Sequence, residues 1–338
     1  METARDTRSA SKCHTTERIR GRTSVIIVSW QVRELLRACL TSIAQYEGKT
    51  ALDVWVVDNA STDGSALMVA AAFPWVRLIA LDHNPGFAAA NNIALRLAPG
   101  DVCVLLNPDT RLTDTAISRL AAYLRAHQEC GVVGPRLLNP NGTVQSAGFA
   151  PPSLFQVWYD LVPWPRRFYT SRLNGRYTSE PGDAPYNIGF PLGAVLAVRG
   201  EVFDTVGLLD EGYGMYMEEP DLCARVWSAS WAVRLLPDAT IIHHGGQSTG
   251  QMPEAMFLAL HRARRRFYAR FRPRWWNATA RTLVRTGCVV AAGRELHAYR
   301  SGKTDESTYH RRIQQYGCAW RLWGEPPSVP PPEGRIAR

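Results

Sequence analysis

The sequence has 338 residues, a net charge of +9, 46% hydrophobic and 20% charged residues. This composition excludes global disorder, supports a sizeable core and, at roughly 150 residues per domain, suggests about two units or one enlarged α/β domain. No apolar run approaches the roughly 20 residues of a membrane span, and the polar residues 1–22 lack the apolar stretch of a cleaved secretory signal.

Residues 1–22 are expected to form a disordered leader. Regular patterning starts at Thr23. Residues 24–29 are a continuous apolar run suited to a strand buried on both faces. Val32, Leu35, Leu36, Cys39, Leu40 and Ile43 follow at helical spacing. Further strands are expected at 52–57, 76–80 and 102–106. Helices are expected from the Ser61–Gly64 turn to about residue 72, over 86–97 and over 113–126. Strands alternating with helices imply a mainly parallel sheet with crossover helices over residues 23–135.

Residues 139–190 are rich in Pro, Gly, Asn, Tyr and Trp and read as loops over a site. A strand at 192–198, a short helix at 200–205, a helix at 219–230 and strands at 232–236 and 240–242 follow. Residues 253–272 and 275–299 read as two basic helices separated by Pro273. The tail after about residue 320 is Pro-rich and expected to be extended or disordered.

Ligands bind beyond the carboxyl ends of the strands in an open parallel sheet. Those ends carry Ser29-Trp30-Gln31, Asp58-Asn59-Ala60-Ser61-Thr62-Asp63-Gly64, Asn84-Pro85-Gly86 with Asn91-Asn92, and Asn107-Pro108-Asp109-Thr110. Turn chemistry explains any one of these loops. Four in succession point to a shared site. No G-x-G-x-x-G follows the first strand and no P-loop or G-x-S-x-G elbow is present, which argues against a dinucleotide dehydrogenase, a P-loop NTPase and an α/β-hydrolase. Asp58 is placed to accept hydrogen bonds from a ribose or base, and Asp109 to bind a hard cation. A second constellation runs from Asp210 to Arg225. Here Glu218, Glu219 and Asp221 open a helix in a stretch containing Tyr213 and Tyr216, which suggests a general base in an acceptor pocket. His243 leaves a strand into His244-Gly245-Gly246 and is a candidate metal ligand.

The motifs Val56–Ser65, Asn84–Asn92, Leu105–Thr110, Met215–Arg225 and His243–Ser248, in this order, resemble the family 2 inverting glycosyltransferases of GT-A fold, and most closely their rhamnosyltransferase-like branch. The resemblance implies an α/β Rossmann-like fold over residues 23–250, with a nucleotide-sugar half (23–135) and an acceptor half (136–250). It implies transfer of a sugar from a nucleotide diphosphate donor, best dTDP-L-rhamnose, to a glycan or lipid-linked glycan hydroxyl. UDP-galactofuranose and UDP-glucose are the alternative donors, and a catalytically inactive binding protein the alternative function. A divalent cation, Mg2+ or Mn2+, is expected on Asp109 and His243. Ser29, Trp30, Asp58, Asn84, Gly86, Asn91, Asn107 and Asp109 would bind the donor. The family's base is the second acid of a Glu-Asp pair, which falls on Glu219, with Tyr213, Tyr216, Glu218 and Asp221 around the acceptor. Glu219 in place of Asp and Gln31 in place of Asn depart from the family pattern.

Between His261 and Arg300 eleven arginines face one acid, Glu295, so the rest of the chain is near neutral. Residues 251–300 read as basic amphipathic helices, followed by a C-terminal extension over 301–338. On the first helix Phe257, Leu260, Phe267 and Phe271 share a face while Arg262, Arg265 and Arg266 point elsewhere, the composition of an interfacial helix at an anionic membrane. Without a nucleic-acid-binding motif, nucleic acid is not expected as a partner. Seven scattered cysteines with no C-x-x-C favour a reducing compartment. The expected location is cytoplasmic, peripheral on the inner face of the membrane.

Overall fold

The computed structural model describes residues 17–48, 51–162, 184–245 and 253–325, with residues 165, 168, 171 and 174–177 between them. Residues 1–16 of the expected leader, Cys13 and the Pro-rich residues 326–338 lie outside the described residues. The first half runs β1 (Ile19–Ser29), α1 (Arg33–Tyr46), β2 (Asp53–Asp58), α2 (Ser65–Ala72), β3 (Arg77–Ala80), α3 (Phe87–Leu97), β4 (Gly100–Leu106), β5 (Thr110–Leu112), α4 (Ala116–Ala126) and β6 (Cys130–Leu138). Short pieces follow: β7 (Val144–Gln145), β8 (Gly148–Phe149), α5 (Leu154–Tyr159), β9 (Arg176–Tyr177), β10 (Tyr186–Asn187) and β11 (Phe190–Pro191). The chain then forms β12 (Val195–Arg199), α6 (Gly200–Val206), α7 (Glu218–Ser228), β13 (Ala232–His243), α8 (Pro253–Phe271), α9 (Arg274–Arg300) and α10 (Glu306–Leu322).

The main sheet has the order β10-β13-β6-β12-β4-β1-β2-β3. Its half built from β1 to β4 is parallel: β1 pairs with β2 and β4, and β2 with β3. β12 is antiparallel to both β4 and β6, and β13 is parallel to β6. β6 and β13 therefore run the same way as β1 to β4. The carboxyl ends of all these strands, and the amino end of β12, lie on one edge. A small second sheet, β11-β8-β9, sits beside it.

Helical spacing explains the helices. α1 buries Leu36, Cys39, Leu40 and Ile43 at three- and four-residue steps, one stripe against the sheet. The central strands β1, β2 and β4 are buried on both faces, as the continuous apolar runs require. A second core is built from α5 and the C-terminal helices: Val157, Leu161, Phe267, Tyr268, Val284, Cys288 and Trp323, joined by Tyr213 and Met217 from the loop before α7.

Three expectations change. β1 begins at Ile19, so residues 19–22 belong to the sheet and not to the leader. Residues 130–138 form a strand that the periodicity did not reveal, because its nine residues include Gly131, Gly134 and Pro135. The two strands expected at 232–236 and 240–242 are one, β13, with a register irregularity between Leu236 and Thr240. The extension over 301–325 contains a helix, α10, whose Ala319, with Trp323 just after it, packs into the second core.

The arginines of α8 also depart from the interfacial reading. Arg264 is buried against Asp160, and Arg266 is held by Asp210. Arg265 donates to the Glu325 carbonyl and lies over the Trp323 ring. Of the group expected to face outward, Arg262 does so. Acids on neighbouring loops pull the rest inward.

Arg199, at the end of β12 and 9% exposed, donates to the carbonyls of Leu124, His127 and Cys130 and so closes the C-terminal end of α4. Replacing it by Leu strands these acceptors. We expect Arg199→Leu to lose about 3 kcal/mol in urea unfolding, with donor binding by the folded fraction retained.

Candidate active site

The edge defined by the sheet collects most of the candidate residues. Ser29 ends β1 and Asp58 ends β2, and the two are register partners. Ser29, Asp58 and Asn59 are 0, 2 and 3% exposed. Asp58 Oδ2 accepts the Ser61 N–H at 2.9 Å, and the Asn59 N–H donates to the Ser29 carbonyl at 2.8 Å. Asn59 Nδ2 donates to Asn84 Oδ1 at 3.0 Å, which also accepts the Gly86 N–H at 2.9 Å. After these bonds, the Ser29 hydroxyl, Asp58 Oδ1 and Asn59 Oδ1 remain buried with no protein partner. An unpaired buried polar atom costs about 1–3 kcal/mol. Three at one edge mark a place built for a polar ligand.

Gln31 ties the two loops together. Its N–H donates to Ser61 Oγ at 3.1 Å and its Nε2 to Thr62 Oγ1 at 3.0 Å. Its φ of +55° turns the chain sharply after the half-buried Trp30. Gly86 has φ +94°, and a Cβ there would lie 3.2 Å from the Gly214 carbonyl. Only glycine allows that turn and that approach, which brings the loop before α7 against the start of α3. Asn91 is 1% exposed and donates to the Phe87 carbonyl, so it braces the first turn of α3.

β4 leads through Asn107, whose N–H donates to the Ala194 carbonyl at 2.9 Å, to Asp109. β5 then pairs with β13, with Thr110 opposite His243. This pairing sets His243 Nε2 3.4 Å from Asp109 Oδ1, and the Gly245 N–H donates to Asp109 Oδ2 at 3.1 Å. His243 Nδ1 lies 2.8 Å from Gln145 Oε1. An amide oxygen only accepts, so Nδ1 carries the proton and Nε2 faces Asp109. Gln145, on a two-residue strand, escaped the sequence reading because nothing in its neighbourhood marks it.

Opposite these, Tyr216 and Met217 take left-handed φ of +71° and +68° immediately before α7. Such strain costs about 1–3 kcal/mol per residue and gathers at functional sites. Glu218 is 1% exposed and its Oε1 has no partner. Burial, reinforced by the charges of Glu219, Asp221 and Asp210, holds its carboxyl well above the usual carboxylate range. Burial also raises Glu219, which keeps some exposure. The Glu219 carboxylate packs directly on Gly193, where any Cβ would overlap it. Gly193 precedes β12 on the same edge, so Glu219 reaches the strand ends that carry Asp109.

Two candidates do not line a pocket. Asp221 has no exposure, and its oxygens are taken by Arg225, Arg270 and the Tyr213 hydroxyl. Tyr213 is 1% exposed and belongs to the second core. Their acceptor-pocket reading is replaced by a structural one. Tyr216 is half-buried.

Residues 24–195 match the sequence profile of the family described as Glycosyl transferase family 2. The chain belongs to this family. It is a glycosyltransferase. It is 31% identical over 248 residues to the N-acetylglucosaminyl-diphospho-decaprenol L-rhamnosyltransferase of Mycobacterium tuberculosis, covering 69% of this chain and 80% of the relative. It is 22% identical over 196 residues to the dTDP-rhamnosyl transferase RfbF of Shigella flexneri, covering 57% of this chain and 60% of that one. The fold of this glycosyltransferase is similar to that of a mannosyltransferase from Pyrobaculum calidifontis solved with GDP-Man and Mn2+, with a TM-score of 0.54 at 16% identity, covering 92% of this chain and 90% of the other. The family match spans the loops after β1, β2 and β3 and Asp109 but stops before Glu219 and His243.

A carboxyl whose folded pKa is raised binds its proton more tightly in the folded state, so stability falls as pH rises from the unfolded value through the folded one. Removing the charge reverses this. We expect Glu218→Gln to raise the melting temperature at about pH 8, with the gain gone near pH 4, where the carboxyl is protonated in both states. Equal melting temperatures at the higher pH would show that Glu218 is solvated.

Proposed function

We propose that the enzyme transfers L-rhamnose from dTDP-L-rhamnose, with inversion, to a hydroxyl of a lipid-linked cell-envelope glycan. The observation that carries this reading is a single sheet edge holding buried, unpaired acceptors at Ser29, Asp58 and Asn59, the Asp109–His243 pair, and the raised carboxyls of Glu218 and Glu219. The two relatives that use rhamnose support the sugar, and the decaprenol-linked substrate of the mycobacterial one supports the acceptor class.

In this reading Asp58 Oδ1, Asn59 Oδ1 and Ser29 Oγ take hydrogen bonds from the nucleoside, which ends their isolation. Asp109 and His243 fit a hard divalent cation, Mg2+ or Mn2+: one carboxylate, and one imidazole whose free nitrogen faces it because Gln145 holds the other. When bound, the cation neutralises charge on the donor diphosphate. Glu219 takes the proton from the acceptor hydroxyl as its oxygen bonds to the anomeric carbon and the sugar–diphosphate bond breaks on the opposite face. Burial suits Glu219 to this work by making its carboxylate more basic than one in water. The half-buried Trp30 and Tyr216 border the donor and acceptor sides respectively.

Purified protein incubated with a panel of nucleotide sugars, acceptor and Mn2+ tests the reading through released nucleotide. Glu219→Gln should keep donor binding and lose about 10²- to 10⁴-fold in turnover. Asp109→Ala should lose the metal dependence together with transfer. A Glu219→Gln enzyme turning over at the normal rate, or a UDP-sugar preferred to dTDP-L-rhamnose, overturns the corresponding assignment.

The same proposal places the enzyme peripherally on an anionic membrane, with α9 as its contact. α9 buries Ala280, Val284, Cys288 and Ala291, and by helical spacing Trp275, Val289 and Val290 fall on the opposite face, 62, 64 and 43% exposed. Exposed Arg274, Arg281 and Arg294 flank them. Aromatic and aliphatic groups bordered by guanidinium groups match a headgroup layer. Among the described residues no helix is long and apolar enough to cross a membrane. Flotation with phosphatidylglycerol vesicles at low salt should recover the protein, and a Trp275→Ala/Val289→Ser/Arg281→Gln variant should stay in the soluble fraction. If the wild type also stays there, the membrane placement is wrong.

A further inference from the structure

The loop from Leu209 to Met217, which delivers Glu218 and Glu219 to the edge, is gripped from two sides. On one side α3 holds it. Asn92 exchanges hydrogen bonds with Leu209, donating to its carbonyl at 2.9 Å and accepting its N–H at 3.1 Å, and Arg96 pairs with Glu211 at 3.0 Å. On the other side stand two arginines of α8, one helical turn apart. Arg266 donates to Asp210 through Nε at 3.0 Å and Nη2 at 2.8 Å, and lies over the Tyr213 ring. Arg270 Nη1 bridges Asp210 Oδ2 at 2.8 Å and Asp221 Oδ2 at 2.9 Å. Asp221 lies in the first turn of α7, two residues after Glu219, so Arg270 joins the start of the loop to the helix that carries the base. Gly212 fits under the Arg266 guanidinium, where a Cβ would overlap it. Tyr213 and Met217 pack into the second core with α8.

We propose that Arg266 and Arg270 are positioning residues for Glu219, which makes the C-terminal helical unit part of the catalytic centre. The proposal rests on the reading of Glu219 as the base. Neither arginine touches the edge itself. They act through Asp210 and Asp221, and their grip offsets the strain at Tyr216 and Met217. Both lie outside the part of the chain that matches the family profile.

The test is steady-state kinetics on the full-length enzyme with Arg266→Gln, Arg270→Gln, Arg270→Lys and Gly212→Ala, beside Glu219→Gln. Misplacing a reacting group costs up to about 10²-fold, so both Gln variants should lose about 10- to 100-fold in kcat with little change in donor KM. Arg270→Lys, which keeps the charge, should recover part of the loss. Gly212→Ala displaces Arg266 without removing any charge and should lower kcat in the same way.

The pH profile separates positioning from general damage. Glu218 shares its surroundings with Glu219, Asp221 and Asp210, and the Cys223 thiol on α7 senses the Glu219 charge. Arg225 and Arg270 pair with Asp221, Arg266 with Asp210, and Asp109 with His243 ends the strands that Glu219 approaches. Without Arg270 the negative charges of Asp210 and Asp221 are less neutralised, so the acidic limb of kcat/KM should move to higher pH. If Glu219→Gln turns over normally, the base reading fails whatever the arginines do. If Glu219→Gln is slow while the folded arginine variants and Gly212→Ala keep normal kcat and pH profile, the positioning role is overturned. A kcat loss matched by equal loss of donor binding, with no movement of the acidic limb, also overturns it. Should Arg270→Gln fail to fold, Arg270→Lys and Gly212→Ala decide the question.

Discussion

Asp221 is a carboxylate with no solvent exposure, and α7 with the elements packed on it is organised around it. Arg225 and Arg270 hold its two oxygens at 2.7 and 2.9 Å, and the Tyr213 hydroxyl donates at 3.1 Å. Arg225 also donates to the carbonyls of Val206, Gly207 and Leu208, which end α6. A buried ion pair gains little net energy, but removing one partner costs about 3–5 kcal/mol. The value of such a cluster is geometric. It locks α6, α7, the Asp210–Met217 loop and α8 into one arrangement, and that arrangement sets where Glu218 and Glu219 stand.

Strands β1 to β4 solve a different problem. They run parallel and end at one edge because every crossover returns the chain in the same direction. Backbone direction alone therefore assembles Ser29, Asp58 and Asp109. β12 enters against that direction, and its amino end brings Gly193 to the same edge. There a glycine lets the Glu219 carboxylate approach the backbone. The site has two origins: strand polarity places Ser29, Asp58 and Asp109, and ion pairing places Glu218 and Glu219.

Polar dissatisfaction marks both sides. Ser29, Asp58, Asn59 and Glu218 each keep a buried oxygen with no protein partner. Unpaired buried atoms occur elsewhere too, at Asp114 and His261 among others, whereas Asp53 in the same sheet is fully held, its oxygens accepting from Ser24, Trp55, Arg22 and Arg77. What sets the edge apart is that four such residues gather there, beside the strained backbone of Tyr216 and Met217.

Much of the donor side was legible in one dimension. The short apolar runs at residues 25–28 and 102–106, alternating with the helical spacing of α1 and the segments after it, point to a parallel sheet with crossover helices, so the α/β fold and the loops at Ser29, Asp58 and Asp109 followed. β6 was not legible, since its glycines and proline break the pattern that periodicity reads. The fates of Tyr213, Asp221 and the arginines were not legible either. Charge in a sequence gives no direction: Arg262 reaches water, while Arg264 and Arg266, two and four residues on, meet Asp160 and Asp210 from distant segments. Periodicity and strand order are local and determine the fold and the edge where the strands end. Which acid keeps an unpaired oxygen and which is a buried strut depends on partners far away in the chain, and only the tertiary structure decides that.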